Sequence, residues 1–159
     1  MGKGKWIQFL FFILIILSVI SCNKNVVYEK NIALKNNTWN YNDTLFFDVN
    51  ISDTISAHNI FINVRNSAEY QYSNIYLFLS TYAPNGNMLK DTFDITLADN
   101  TGKWYGKGVG SIFSLQVPYK LHIKFPYQGI YTFEIQHAMW NQNLKGISDI
   151  GLRISKSTK

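Results

Sequence analysis

The sequence predicts an all-β protein: a single antiparallel β-sandwich, jelly-roll-like or immunoglobulin-like, set behind an N-terminal export segment. Aromatic residues make up 16% of the chain, β-branched residues are plentiful and prolines number only three, a composition suited to pleated, half-buried strands. Apolar and polar residues alternate with period two in short runs, and turn residues separate the runs about every 8 to 12 positions, as in sandwiches and barrels. No fixed-period repeat, low-complexity tract or heptad breaks the pattern.

The first segment decides where the chain lives. Lys3 and Lys5 give a positive front end, and Phe9 to Leu17 is an unbroken apolar run. That is the length of a signal-peptide core, whereas a membrane-crossing helix needs roughly 20 apolar residues. Val19-Ile20-Ser21-Cys22 resembles the lipobox of bacterial lipoproteins. The resemblance implies that the Cys22 thiol receives a diacylglyceryl group, that cleavage precedes it, and that its new amine is acylated. This also accounts for a solitary cysteine, which in an exported chain would otherwise be a free thiol or half of an intermolecular bridge. Two or three acyl chains, at about 0.8 kcal/mol per buried methylene, hold a protein on a bilayer. An uncleaved signal anchor is the alternative. The expected organisation is residues 1–21 as lipoprotein signal peptide, 22–25 as lipidated cysteine and tether, and 26–159 as the sandwich.

The 138 residues from Cys22 onward suffice for one domain with a continuous core. The net charge of +5 falls to +3 without Lys3 and Lys5, and the remaining cations are scattered singly. Nucleic-acid binding wants clustered Lys and Arg; with only Arg65 and Arg153 it is not expected. With Cys22 occupied, stability must come from packing.

Val26 to Tyr28 opens the folded part, and Asn36-Asn37 marks a turn before Trp39. Leu45, Phe47, Val49 and Ile51 form one strand face; Ile60, Ile62 and Val64 form another. Ile75, Leu77 and Leu79 alternate with Tyr76 and Phe78, so that strand is apolar on both faces. Ala83-Pro84-Asn85-Gly86-Asn87 is turn chemistry, predicting a hairpin of Ile75 to Tyr82 with Met88 to Leu97. Leu89, Asp91, Phe93, Ile95 and Leu97 share the inner face of its second arm, so Asp91 needs a partner or an edge. Ile112 to Val117 reads as a short strand ending before Pro118. Tyr119 to Phe125 and Tyr131 to Ile135 read as a second hairpin turned at Pro126 to Gly129. A single helical turn fits Ala138 to Asn141, Asn141 to Gly146 reads as a loop, and Ile150, Leu152 and Ile154 alternate in a last strand.

Gly106, Gly108 and Gly110 recur every second residue, which on an extended segment makes a bare strip of backbone. A ligand, ring or partner strand could lie on it with Trp104 and Tyr105 at the entrance. The same glycines also suit a bulged, twisted corner that relieves strain or receives a neighbouring aromatic. Trp39, Trp104, Trp140, Tyr70, Tyr72 and Tyr105 would form a stacking platform if several lay exposed together, and Trp104 and Tyr105 have the most loop-like context. The segment lacks a phosphate-loop or dinucleotide frame. His58, His122 and His137 have no metal-ligand spacing, and His137 has the parity of a packed, hydrogen-bonded core residue. Asp99-Asn100-Thr101-Gly102 lacks the later acidic ligands of a calcium loop and reads as a turn. Neither a nucleophile elbow nor a placeable carboxylate pair is present, so no catalytic residue, cofactor or metal is expected.

Taken in order, the lipobox, Val27-Tyr28-Glu29, Trp39, Asn63-Val64-Arg65-Asn66, Tyr72-Ser73-Asn74, Pro84-Asn85-Gly86, Gly102-Lys103-Trp104, Gly106-Lys107-Gly108, Gln136 with Ala138-Met139, and Gly151-Leu152-Arg153 resemble the gliding motility lipoprotein GldH family. The resemblance implies an envelope lipoprotein tied to surface gliding and type IX secretion in gram-negative bacteria, without known catalysis. It implies two partners: a bilayer, through acylated Cys22, and other gliding or secretion proteins. Asn23-Lys24-Asn25 lacks the acidic run of a surface-export signal, so the body is expected to face the periplasm from the outer membrane. The other functional class is a glycan- or peptide-binding module with Trp104 and Tyr105 as its platform.

Overall fold

The computed structural model describes residues 25–158. Cys22, the apolar run before it and most of the tether lie outside the described residues. Two antiparallel sheets pack face to face. One has five strands in the order β1-β11-β4-β8-β7 and the other has four in the order β3-β9-β5-β6. Their residues are β1 (Val26–Ala33), β3 (Leu45–Ile51), β4 (His58–Ser67), β5 (Asn74–Tyr82), β6 (Met88–Thr96), β7 (Lys107–Val109), β8 (Ile112–Ile123), β9 (Gly129–His137) and β11 (Ile147–Lys156). A small ribbon pairs β2 (Thr38–Asn40) with β10 (Asn143–Lys145). The all-β sandwich expected from alternation is therefore the fold.

The alternation becomes burial residue by residue. Along β3, Leu45, Phe47, Val49 and Ile51 are buried while the residues between them are exposed. Ile60, Ile62 and Val64 meet Ile150, Leu152 and Ile154 on the inner side of the larger sheet, and Ile75, Leu77, Leu79, Tyr131, Phe133 and Ile135 face them from the smaller one. The chain's last strand, β11, lies between β1 and β4 and pairs antiparallel with both. The β5–β6 hairpin forms as expected: Ala83 N donates to Asn87 O at 2.8 Å, and Gly86 takes φ +85°. At Asn36 and Asn37 both φ values are positive, a conformation asparagine tolerates.

Several expectations give way. β8 runs unbroken through Pro118, because β7 covers only its first residues and the proline lies on an otherwise open edge, where no ladder donor is required of it. Two bulges in the β4–β8 ladder follow Pro118, and His122 in the second takes φ 55° and donates its N–H to Asn59 Oδ1. Pro126 to Gly129 closes no hairpin: it carries the chain from β8 in one sheet to β9 in the other. Residues 138–141 contain no helical turn, and the expected 141–146 loop contains β10. Leu89, expected on the inner face, is 51% exposed at the edge of the smaller sheet.

Candidate functional site

The glycine-rich segment forms the β7–β8 hairpin at the edge of the larger sheet. Asp99 organises its entry. One carboxylate oxygen accepts from the Thr101 hydroxyl and from the backbone N–H groups of Thr101 and Lys103 at 2.7 to 3.0 Å, bonds that hold the carboxyl below its ordinary range, the Thr101 hydroxyl contributing most. Gly102 completes this turn at φ +82°, and an isolated bridge pairs Trp104 with Ala98.

The strip of glycines is filled from within. A Cβ on Gly108 would lie 1.8 Å from the Ile112 carbonyl oxygen, and one on Gly106 would lie 3.0 Å from Phe113 Cβ. Their bare backbone thus admits the return strand of the same hairpin, while Gly110, at φ +70°, serves its turn. The Trp104 ring stacks on Phe113 at 5.7 Å between centroids and is half-buried; Tyr105 is 56% exposed. The segment brings Trp104 and Tyr105 together as neighbours but leaves only Tyr105 mostly exposed.

Of the other candidate platform residues, Trp39 is buried with its indole N–H donating to Asp43 O, and Tyr70 is buried with its hydroxyl donating to Asn74 O. Trp140 is fully exposed. It borders an opening of about 410 Å³ shared with Tyr41, Ala138, Met139 and Gln142. Its position just after the Tyr131-Phe133-Ile135-His137 parity ends was the available signal. His137 is buried edge-on to Trp39, yet neither ring nitrogen finds a hydrogen-bond partner of normal geometry, so it is packed but not bonded as expected. Among the described residues, no cluster of His, Cys, Asp and Glu could hold a metal ion.

Two surface features escaped the sequence reading. On the outer face of the larger sheet, Asn31, Gly151, Asn63 and Gln116 fall in register on four adjacent strands. Gln116 donates to Asn63 Oδ1 at 2.8 Å, and Asn63 donates to Asn31 Oδ1 at 3.3 Å across bare Gly151, where a Cβ would sit 1.8 Å from that oxygen. Ion pairs Arg153–Glu29 and Arg65–Asp149 flank this amide row. Glu29, Asn63, Arg65, Gly151 and Arg153 all belong to the motifs on which the family resemblance rests.

The second feature is the flank where β6 and β8 face each other as edges of opposing sheets. Asp91 on β6 pairs with Lys120 on β8 and accepts from the Tyr119 hydroxyl, so it has both a partner and an edge. Beside this bridge an apolar cleft of about 260 Å³ opens between the sheets, lined by Leu89, Tyr119, Ile123, Phe125 and Phe133, with Met88 55% exposed at its margin.

The model of the family described as GldH lipoprotein matches residues 26–154, essentially the whole sandwich. The chain is 33% identical over 153 residues to the gliding motility lipoprotein GldH homolog of Christiangramia forsetii, covering 92% of this chain and 93% of that one. It is 27% identical over 145 residues to the gliding motility lipoprotein GldH of Flavobacterium johnsoniae, covering 87% and 89%. Among solved structures, infectious bursal disease virus Gx strain aligns with a TM-score of 0.31 at 12% identity, over 82% of this chain and 30% of that one. By sequence, this chain belongs to the GldH lipoprotein family.

Proposed function

We propose that this gliding motility lipoprotein is held on the outer membrane by acyl chains at Cys22, faces the periplasm, and acts without catalysis through protein contacts within the gliding and type IX secretion machinery. The observation that supports contact is the β6–β8 flank. Among the described residues β6 pairs only with β5, leaving its other edge open, and Met88 and Leu89 are exposed beside the apolar cleft. An uncovered apolar sheet edge invites strand pairing and aggregation unless a partner covers it. The test is a deletion strain complemented with the parent or with Leu89→Lys and scored for gliding and for type IX cargo export. Loss of either process at normal membrane levels of the variant is expected. Full complementation by Leu89→Lys removes the flank from this reading.

The glycan- or peptide-binding reading has the exposed Tyr105 ring in its favour. Its test is glycan-array binding by the parent and its loss in Tyr105→Ala and Trp104→Ala.

A further inference from the structure

Only Asn23-Lys24-Asn25 follow Cys22 before β1 begins. Four residue steps separate Cys22 from Val26 and, fully extended, span roughly 14 Å, so a lipid on Cys22 would keep the start of β1 within about that distance of the bilayer surface.

The residues around that point form one end of the sandwich. Asn25 O accepts from Lys156 N at 2.7 Å, and Ser157 N donates to Ala57 O at 2.8 Å. Lys156 Nζ pairs with Asp53 at 2.6 Å, Gln128 Nε2 donates to Ser52 O at 3.0 Å, and Ser157 Oγ lies 2.7 Å from His122 Nδ1. The 52–57 loop, the bulge near His122 and the 126–129 crossover are thereby fastened around the entry of the tether. This end carries Ile55 at 82% exposure, Leu121 at 50% and Tyr127 at 44%. Ile55 is held at its loop tip because Asp53 Oδ1 accepts from the N–H groups of Ile55 and Ser56. Lys124 and Lys156 stand exposed beside them, and Asp53 is already paired.

We propose that this end lies against the bilayer, with Ile55, Leu121 and Tyr127 in the boundary between headgroups and acyl chains and Lys124 among the headgroups. The orientation rests on lipidation of Cys22. A short tether alone would permit several tilts; the exposed apolar side chains choose this one, because it removes them from water and leaves Trp140 and Tyr41, at the opposite end, free for other contacts. Tyrosine and lysine suit such a boundary, where an apolar body and a polar tip meet different solvents.

The test uses the full chain, processed in a gram-negative envelope and reconstituted in phosphatidylethanolamine–phosphatidylglycerol vesicles. Ile55→Cys, Leu121→Cys, Tyr127→Cys and Trp140→Cys are spin-labelled one at a time, and each label's relaxation by oxygen is compared with that by a water-soluble nickel chelate. A severalfold higher oxygen-to-nickel ratio at 55, 121 and 127 than at 140 is expected. Equal ratios at all four positions, on protein whose mass carries the lipid at Cys22, overturn the orientation alone. A mass showing a bare Cys22 overturns the anchor and the orientation with it.

Discussion

Asp91 and Lys120 join the two sheets across their open flank, with Oδ2 2.7 Å from Nζ, while the Tyr119 hydroxyl donates to the same carboxylate. Those bonds, the one from Lys120 foremost, hold the Asp91 carboxyl below its ordinary range. A depressed native pKa means stabilisation present above the unfolded value and lost as pH falls through the native one. Both side chains are about a third exposed, so screening limits the gain to about 1 kcal/mol or less. Asp91→Asn should therefore lower stability slightly at neutral pH, and the gap should narrow toward about pH 3. Urea denaturation at both pH values checks this.

Gly146 and Gly108 should differ sharply on substitution. Gly146 is buried at φ +88°, and a Cβ there would lie 2.6 Å from the Tyr70 backbone nitrogen. Its own backbone also binds Asn37 O and Ser67 N, tying β10 to β4. Gly146→Ala therefore adds strain and a backbone clash in the core and should cost about 2 to 4 kcal/mol. Gly108→Ala must displace the Ile112 carbonyl, but β7 is a three-residue edge strand, so the hairpin can open alone. Denaturation should show a major loss for the first variant. Hydrogen exchange should show a loss confined to the hairpin for the second.

The same local-versus-distant distinction explains what could be read from the chain. Period-two runs in β3, β4, β5 and β11 carry their burial with them, and the Pro84-Asn85-Gly86 turn specifies its hairpin within a few residues. Sheet membership is not local: Pro126 to Gly129 has hairpin chemistry, yet β8 and β9 find their partners in β4 and β5, far along the chain. β10 is a three-residue strand that pairs with β2, about a hundred residues earlier. The amide row of Asn31, Asn63 and Gln116 likewise exists only once β1, β11, β4 and β8 are in register. Composition could count the tryptophans but could not separate buried Trp39 from exposed Trp140.

Arg65 and Asp149 should show the opposite pH sign to Asp91. Asp149 is 6% exposed with one carboxylate oxygen unpartnered, and burial raises its pKa despite the Arg65 guanidinium 3.0 Å away. Its native form favours the proton more than its unfolded form does, so it contributes stability as pH falls through the raised value. Asp149→Asn should be neutral or slightly stabilising at pH 7. Arg65→Ala, which strands the carboxylate, should destabilise more at neutral pH than at about pH 4. Thermal melts of both variants at the two pH values decide it.

Trp39 and Trp140 should divide fluorescence and stability between them. Trp39 is wholly buried, and Trp39→Ala should cost about 3 to 5 kcal/mol through lost burial and a cavity. Trp140→Ala should leave stability within about 0.5 kcal/mol while removing the most red-shifted, most readily acrylamide-quenched part of the emission, half-buried Trp104 keeping an intermediate share. Unaltered quenching in Trp140→Ala contradicts the exposure found at the 138–142 loop.

His137 should make the fold sensitive to mild acid. It is 2% exposed, edge-on to Trp39, with both ring nitrogens unpartnered. Burial lowers its pKa, only partly offset by the nearby backbone of Trp39 and Gln142. A lowered histidine pKa means that the native state excludes the proton that the unfolded chain accepts at about 6.5. Stability is therefore full above that value and falls, by up to about 1.4 kcal/mol per pH unit for one such group, until the native ring itself titrates. His58, buried against Phe125 with Nδ1 unpartnered, acts in the same direction, desolvation outweighing the Asp53 charge. Chemical denaturation at pH 7.5 and 5.5 should show the parent losing stability, His137→Leu losing less, and His58→Leu/His137→Leu nearly flat. If His137→Leu tracks the parent across this interval, the buried ring is not what excludes the proton, and the acid response belongs to another group.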